Sequence, residues 1–319
     1  MNIVVWGLGR HARNKVLPAI KRSKEFTLYG VCTRNKEVID ETIESYQIKG
    51  WTSSDEMLID ENVDAIYLST PPGLHKDQAL KILGSGRHLL CEKPLTLSYK
   101  DTSFLVDEFI SKGLCLMEGI MYLHHPHYRS LKNLISNKRL GKIRKVMCSF
   151  LLPPLEVPGY REQKKLGASA IYDLGIYPIS LILNLFHGLE IEIKSKDIKH
   201  SLNKDYDISG KAVLNIQNNI DCHIAWAYNK TYLNELTIYG EDLDLYSQFV
   251  FSKDSSHKAH ILLTKDEKLI EDIEIRAIDH FELMLKSFHR LIVKLNASTK
   301  KPEANSILEL SSFLSKLIK

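Results

Sequence analysis

The sequence predicts an α/β protein in two parts: an N-terminal doubly wound parallel sheet, followed by an α+β domain whose sheet is mostly antiparallel. Three observations lead there. Short apolar runs alternate with amphipathic segments up to about Gly119, the pattern of repeated β-α units. A glycine-rich turn follows the first apolar run directly. Beyond Leu140 the apolar residues fall at every second position instead, with few helical segments between them.

The first strand is Ile3-Val4-Val5-Trp6, and an amphipathic helix is expected over 12–20. A second strand spans 26–32 and a helix 37–46. Ala65-Ile66-Tyr67-Leu68 is another strand, stopped by Pro71-Pro72-Gly73, with a helix over 75–83. His88-Leu89-Leu90-Cys91 and Leu114-Cys115-Leu116-Met117 complete the set, separated by a helix over 98–110. Strands apolar throughout, between helices, imply a parallel sheet covered on both faces. The second part opens with a long strand over 142–152, broken by the proline-rich stretch 153–159, and a helix over 170–185. Period-two segments follow at Leu189, Ile191 and Ile193; at Ala212, Leu214 and Ile216; at Leu236 and Ile238; and at Ile273 and Ile275. Amphipathic helices over 277–295 and 306–318 close the chain.

At about 150 residues per domain, 319 residues give roughly two domains, with the boundary expected at 1–120 and 121–319 and the terminal helices free to pack back on the first. Lys+Arg 43 against Asp+Glu 39 leaves a formal charge of +4, a mixed surface that argues against nucleic acid as a partner. No apolar run nears the roughly 20 residues of a membrane span. Met1-Asn2 leads straight into a strand without a leader-like pattern, and five scattered cysteines read as reduced core thiols. A cytoplasmic protein without a metal site is expected. His124-His125-Pro126-His127, the one histidine concentration, reads as a helix entry with one or two imidazoles facing solvent.

Gly7-Leu8-Gly9-Arg10-His11-Ala12 matches G-x-G-x-x-G/A between a strand and a helix. Gly7 serves a tight turn, Gly9 lets a pyrophosphate approach the backbone, and Ala12 permits close helix–strand packing. The amides of the helix start, around Arg10 and His11, then face the phosphates. An acidic residue after the second strand would bind the ribose hydroxyls of NAD; here Thr33-Arg34 stands instead, a hydroxyl and a guanidinium suited to a 2′-phosphate. NADP(H) is therefore expected over NAD(H). Ser69-Thr70-Pro71 lies at a strand's carboxyl end, where ligands bind in such sheets, and His75 is expected to cap or line the next helix. Glu92-Lys93-Pro94 follows the next strand, and its ammonium suits polarising a carbonyl; pairing of Lys93 with Glu92 at the surface is the competing reading. Asp173 and Tyr177, four apart, share a helical face. An acid and a phenol there can transfer protons, or can simply be a hydrogen-bonded acid and a core tyrosine.

The order Gly7-x-Gly9-x-x-Ala12, Thr70-Pro71, Glu92-Lys93-Pro94, Asp173-x-Gly175-x-Tyr177 resembles the glucose-fructose oxidoreductase / inositol dehydrogenase / MocA family along the whole chain. The resemblance implies a Rossmann domain plus a C-terminal domain with a large open sheet. It also implies hydride transfer between NAD(P) and a hydroxyl or carbonyl of a sugar, a nucleotide-linked keto-sugar or a cyclic polyol. By the same resemblance Lys93 is the catalytic lysine, with Asp173 and Tyr177 as the second-domain pair. Substrate contacts are expected from these three with Tyr122 and Arg161. Tyrosine at position 177, where many members carry His, resembles the branch of glucose-fructose oxidoreductase and dihydrodiol dehydrogenase. A homodimer or homotetramer through the C-terminal sheet is implied as well. Departures are Gly167-Ala168-Ser169-Ala170 in place of a glycine run, Leu123 where relatives often have Arg, and Pro72 for a frequent Asn. Two other readings stand beside this one: a dinucleotide-binding sensor of the same fold, disfavoured by the joint presence of Lys93, Asp173 and Tyr177, and an enzyme resembling biliverdin reductase.

Overall fold

In the computed structural model, which describes residues 1–202, 205–295 and 302–318, the chain divides into two units. One comprises Met1–Met121 with Phe281–Ser311, the other Tyr122–His280 with Ser312–Lys319. The first is built on six strands: β1 (Asn2–Trp6), β2 (Thr27–Cys32), β3 (Lys49–Trp51), β4 (Ala65–Leu68), β5 (His88–Glu92) and β6 (Leu116–Gly119). They form one parallel sheet in the order β3-β2-β1-β4-β5-β6. The order in which strands are added reverses between β1 and β4, and in such sheets ligands bind at the carboxyl ends of the strands at that point. Every residue of β4 is buried, as a strand covered on both faces requires.

The helices of this unit are α1 (Leu17–Arg22), α2 (Lys36–Tyr46), α3 (Ser54–Ile59), α4 (His75–Gly84) and α5 (Tyr99–Ser111). The side chains of Asn35, Ser53 and Ser98 accept backbone N–H bonds at the starts of α2, α3 and α5, satisfying donors that have no partner within the helix. Ile66, Leu68, Leu89 and Cys91 of the sheet pack with Leu105 and Phe109 of α5 in one core, which Ile307 joins.

The second unit contains α6 (Pro126–Ser136), β7 (Lys145–Leu151), α7 (Ile176–Leu185) and the strands β8 (Ile191–His200), β9 (Asp207–Ile216), β10 (Ile220–Ala227), β11 (Leu233–Tyr239), β12 (Asp244–Gln248), β13 (Ala259–Lys265) and β14 (Lys268–Ile275). Two more helices, α8 (His280–Leu295) and α9 (Pro302–Ile318), follow. The sheet order is β14-β13-β12-β11-β7-β10-β9-β8. Only β7 and β10 pair in parallel; the other neighbours are antiparallel. Alternation places Val146, Cys148, Phe150, Ile224, Trp226, Leu236 and Ile238 on the buried face. The buried helix α7 lies against β7 and β10.

The helices expected over 12–20 and 170–185 both begin differently from a plain α-helix. Each opens with a π turn, Ala12–Val16 after the G-x-G-x-x-A turn and Ile171–Gly175 at the D-x-G-x-Y run. The histidine cluster also departs from expectation. It does enter a helix, α6, with His124 half-buried, but His125 and His127 are fully buried instead of facing solvent. Apolar neighbours along 120–131 draw them inward. All five cysteines are buried, and none forms a disulfide. Among the described residues one segment, Lys164–Leu185, is long and apolar enough to cross a membrane, and most of it is buried in the unit's core.

Candidate active site

The turn after β1 explains its glycines one at a time. Gly7 has φ +104°, and a Cβ there would stand 2.7 Å from the Ser69 carbonyl and 2.8 Å from the Thr70 nitrogen. Its own N–H donates to the Cys32 carbonyl at 2.9 Å. Glycine is thus needed to bring β1, β2 and the loop after β4 together. Gly9 has nothing within 4 Å of its missing Cβ, an open cradle of the kind a pyrophosphate occupies. Ala12 is fully buried, and Arg10 is exposed at the helix entry. At the end of β2 stand Thr33, half-buried, and Arg34, exposed; no carboxylate follows until Glu37. These residues fit a phosphorylated dinucleotide.

The loops after β4 and β5 form the next layer of the same unit. Ser69 donates its N–H to the Trp6 carbonyl at 2.8 Å, and the Thr70 hydroxyl lies 2.5 Å from Gln78 Oε1. His75 is the first residue of α4 and lines it from within, while Leu74 stands at the cap position. His75 is fully buried, with Nε2 2.8 Å from the Thr70 carbonyl and Nδ1 2.8 Å from the Pro94 carbonyl. Glu92 accepts from the Tyr67 hydroxyl at 2.6 Å and lies 3.2 Å from His11 Nε2. Burial works against the Glu92 carboxylate, but His11, Tyr67 and Lys93 outweigh it and hold the carboxyl below its usual range. Lys93 is half-buried at the end of β5, before a cis peptide bond to Pro94. Glu118, on β6, accepts the Leu95 N–H at 2.7 Å. Burial pushes its carboxyl up to about 7, against the opposing pull of that N–H and of Lys93.

In the second unit, Asp173 and Tyr177 straddle the change from π turn to α7. Asp173 is 4% exposed. It takes Arg161 Nε at 2.6 Å, Arg161 Nη2 at 3.4 Å, the Tyr160 hydroxyl at 3.2 Å and the Tyr228 hydroxyl at 2.8 Å. Burial disfavours the Arg161 cation, yet the Asp173 charge beside it holds its pKa above the ordinary value. Burial and the same carboxylate push the Tyr228 hydroxyl far above the usual phenol range.

Tyr177 is 7% exposed, its ring set among Phe150 (5.1 Å between centroids), Phe251 (5.6 Å) and Tyr122 (6.1 Å). Tyr122 is wholly buried, and its hydroxyl lies 2.8 Å from Ser180 Oγ, which donates to the Tyr177 carbonyl. Gly175 has its own reason: a Cβ would meet the Trp226 indole at 2.9 Å. Ser169, in the stretch that replaces a glycine run, is anchored to Asp207 at 2.5 Å, while Asp207 also accepts the Ile171 N–H at 2.7 Å. Among the described residues no three His, Cys, Asp or Glu side chains are grouped to hold a metal ion.

Two family models match the chain: the oxidoreductase family with NAD-binding Rossmann fold over residues 1–120, and the GFO/IDH/MocA C-terminal domain over residues 128–245. The chain belongs to the GFO/IDH/MocA oxidoreductase family. Within that family it is 25% identical over 293 residues to dTDP-3,4-didehydro-2,6-dideoxy-alpha-D-glucose 3-reductase of Actinomadura kijaniata, covering 92% of this chain and 88% of the relative. The enzyme of the same description from Streptomyces violaceoruber is 30% identical over 214 residues, 67% of this chain and 62% of that protein. Among solved structures, KijD10, a 3-ketoreductase from Actinomadura kijaniata crystallised with NADP and TDP-benzene, superposes with a TM-score of 0.94 at 23% identity. The superposition covers 100% of this chain and 97% of that one.

The structure adds residues that sequence reasoning about this GFO/IDH/MocA chain leaves out. Tyr160 and Tyr228 bind Asp173, Tyr67 binds Glu92, and Glu118 holds Leu95. Arg161 and Tyr160 adjoin the proline-rich stretch and could be found by asking what neutralises a buried Asp173. Tyr228 lies 55 residues away at the end of β10 and carries no local signal.

Proposed function

We propose that this chain is an NADP(H)-dependent reductase of a nucleotide-linked keto-sugar, with Lys93, Tyr177 and Asp173 as its working side chains. The observation that carries the reading is Lys93 at the carboxyl end of β5, in the same unit as the Gly7–Gly9 cradle and on the side of the sheet where ligands bind in this fold. Thr33 and Arg34 hold the 2′-phosphate that distinguishes NADP(H), and the helix entry at Arg10 and His11 takes the pyrophosphate. Support for a dTDP-linked substrate comes from the curated relatives, which are 3-reductases of a dTDP-sugar.

When bound, the dihydronicotinamide supplies the hydride to the carbonyl carbon. Lys93 sets a positive charge against the oxygen where negative charge develops. Tyr177 donates the proton that completes the hydroxyl, with Lys93 as the alternative donor. Asp173, filled by four donors, orients its surroundings and keeps Arg161 in place. The half-exposed face of the sheet, on which Met147, Glu235 and Tyr239 stand, is where this reading expects a second copy to dock.

The test is NADPH oxidation by the purified chain against dTDP-3,4-didehydro-2,6-dideoxy-alpha-D-glucose and against free keto-sugars, with nucleotide binding followed by fluorescence. Turnover of the dTDP-linked ketone is expected. Lys93→Ala should lower kcat on the order of 10²- to 10³-fold while the Kd for NADPH stays within about threefold. NADPH binding without turnover of any carbonyl substrate would replace the enzyme with a sensor.

A further inference from the structure

We infer that His75 is a positioning residue that ties the loop after β4 to the loop after β5 by donating from both ring nitrogens, and thereby fixes where the Lys93 ammonium stands. The hydrogen bonds stand on geometry alone; their catalytic consequence rests on the reading proposed above. His75 Nδ1 is 2.8 Å from the Pro94 carbonyl and Nε2 is 2.8 Å from the Thr70 carbonyl, and the ring is fully buried. A backbone carbonyl only accepts, so each contact needs an N–H on the ring. A neutral imidazole has one, so the doubly tied arrangement is that of an imidazolium. With the ring neutral, one nitrogen turns a lone pair towards an oxygen at 2.8 Å, and that loop loses its tie.

The two ends are not equivalent to ordinary loop carbonyls. On one side Thr70 is also held by Gln78 of α4. On the other, Pro94 sits between Lys93 and Leu95, and Leu95 is fastened to Glu118 on β6. His75 is therefore the link through which the Thr70 loop and the Lys93 loop are kept at a fixed spacing. Burial, with the charge of Lys93, outweighs the two carbonyls and Glu92 and holds the imidazole below its ordinary range, so the doubly tied form belongs to the acid end of the pH range. Glu92 is in turn paired with His11, and Glu118 of β6 holds the same loop through Leu95. A proton on His75 thus closes the link, and its loss opens one end.

The experiment combines nitrogen NMR of the histidine rings in the full-length wild type with steady-state kinetics of His75→Gln, whose amide can donate at only one end. Expected is one buried ring with both nitrogens protonated at the acid end of the pH range, absent from the His75→Gln spectrum. The variant's kcat should fall about ten- to a hundredfold, since a displacement near 1 Å costs on that order, with the Kd for NADPH changed less than about threefold. The wild-type loss of kcat as His75 deprotonates should be missing from the variant. A ring singly protonated at every pH overturns the inference, and so does a His75→Gln kcat within about twofold of wild type. If the wild type turns over no ketone, the proposed function fails, while the ring spectrum still decides the double tie. If His75→Gln does not fold, the wild-type spectrum still decides it.

Discussion

Asp173 shows how far a side chain's surroundings restrict its chemistry. A carboxylate has about four acceptor sites, and Arg161 with Tyr160 and Tyr228 supplies four donors, so no site is left for carrying protons to a substrate. The phenols that touch it are equally committed: Tyr228 holds its proton far above neutrality. The carboxylate of the D-x-G-x-Y motif is therefore an anchor, and in the reaction proposed above it is not the proton donor. Arg34 is the opposite case, an exposed guanidinium whose role is set by what it meets. A charge-assisted contact to a phosphate is worth about 1.5–3 kcal/mol, or roughly ten- to a hundredfold. Arg34→Ala is expected to raise the KM for NADPH by that factor and leave the KM for NADH nearly unchanged. Equal changes for both nucleotides would remove Arg34 from cofactor choice.

Individual elements show which features are written locally. Gly175 lets α7 approach the Trp226 indole on β10, and Gly210 on β9 faces the same ring. Gly175→Ala adds a carbon 2.9 Å from that indole and is expected to destabilise by about 1–3 kcal/mol, read as a lower denaturation midpoint with unchanged slope. A midpoint equal to wild type would show that Trp226 can yield. The β1 turn, β4, β5 and α7 are legible in the sequence because their signals are short-range: apolar runs, a glycine that must be left-handed, and a helix apolar on all sides. The three-residue edge strand β3 and the six-residue α3 are too short for any periodicity. Strand β10 alternates plainly from Ile220 to Trp226, yet its parallel partner β7 lies 76 residues away, and pairing over such a distance leaves no local trace. Lys93, Asp173 and Tyr177 are conspicuous as residue types, but what holds them is not. His75, Glu118, Arg161 and Tyr228 act through contacts between segments that a linear pattern does not bring together.

Across the whole second unit, the most consequential electrostatic feature lies at the entry to α6. His124, His125 and His127 follow one another there, the last two under the charge of Lys253, and His125 lies 6.3 Å, between ring centroids, from His280. Burial, reinforced by Arg129, pulls His124 down to about 4. Burial, reinforced by Lys253, Arg129 and Arg276, does the same to His125; burial with Lys253, His125 and His257 takes His127 lower still. His127 Nε2 pairs with Ser247 Oγ, whose own proton goes to the His260 carbonyl, so the ring is held as one neutral tautomer. Lys253 is itself drawn down to about 7 by burial, and its charge below that pH opposes the imidazoliums of His125 and His127. The direction of the coupling follows. Above about pH 6.5 folded and unfolded chains both carry these histidines neutral. Between about 6.5 and 4 the unfolded chain binds protons that the fold refuses, so stability falls as pH falls, by up to about 1.4 kcal/mol per pH unit for each histidine. Lys253 acts in a separate window, from about 10.5 down to 7, and adds no slope below it. Carboxylates titrate in the lower part of the acid window, so the informative quantity is the difference between proteins. Denaturant unfolding from pH 7 to 4 should show a steep loss of stability in the wild type, and His125→Gln and His127→Gln should each flatten it by about one proton. Slopes indistinguishable from wild type would mean that these imidazoles take up their protons in the folded state, with water or a carboxylate reaching a site that is closed here.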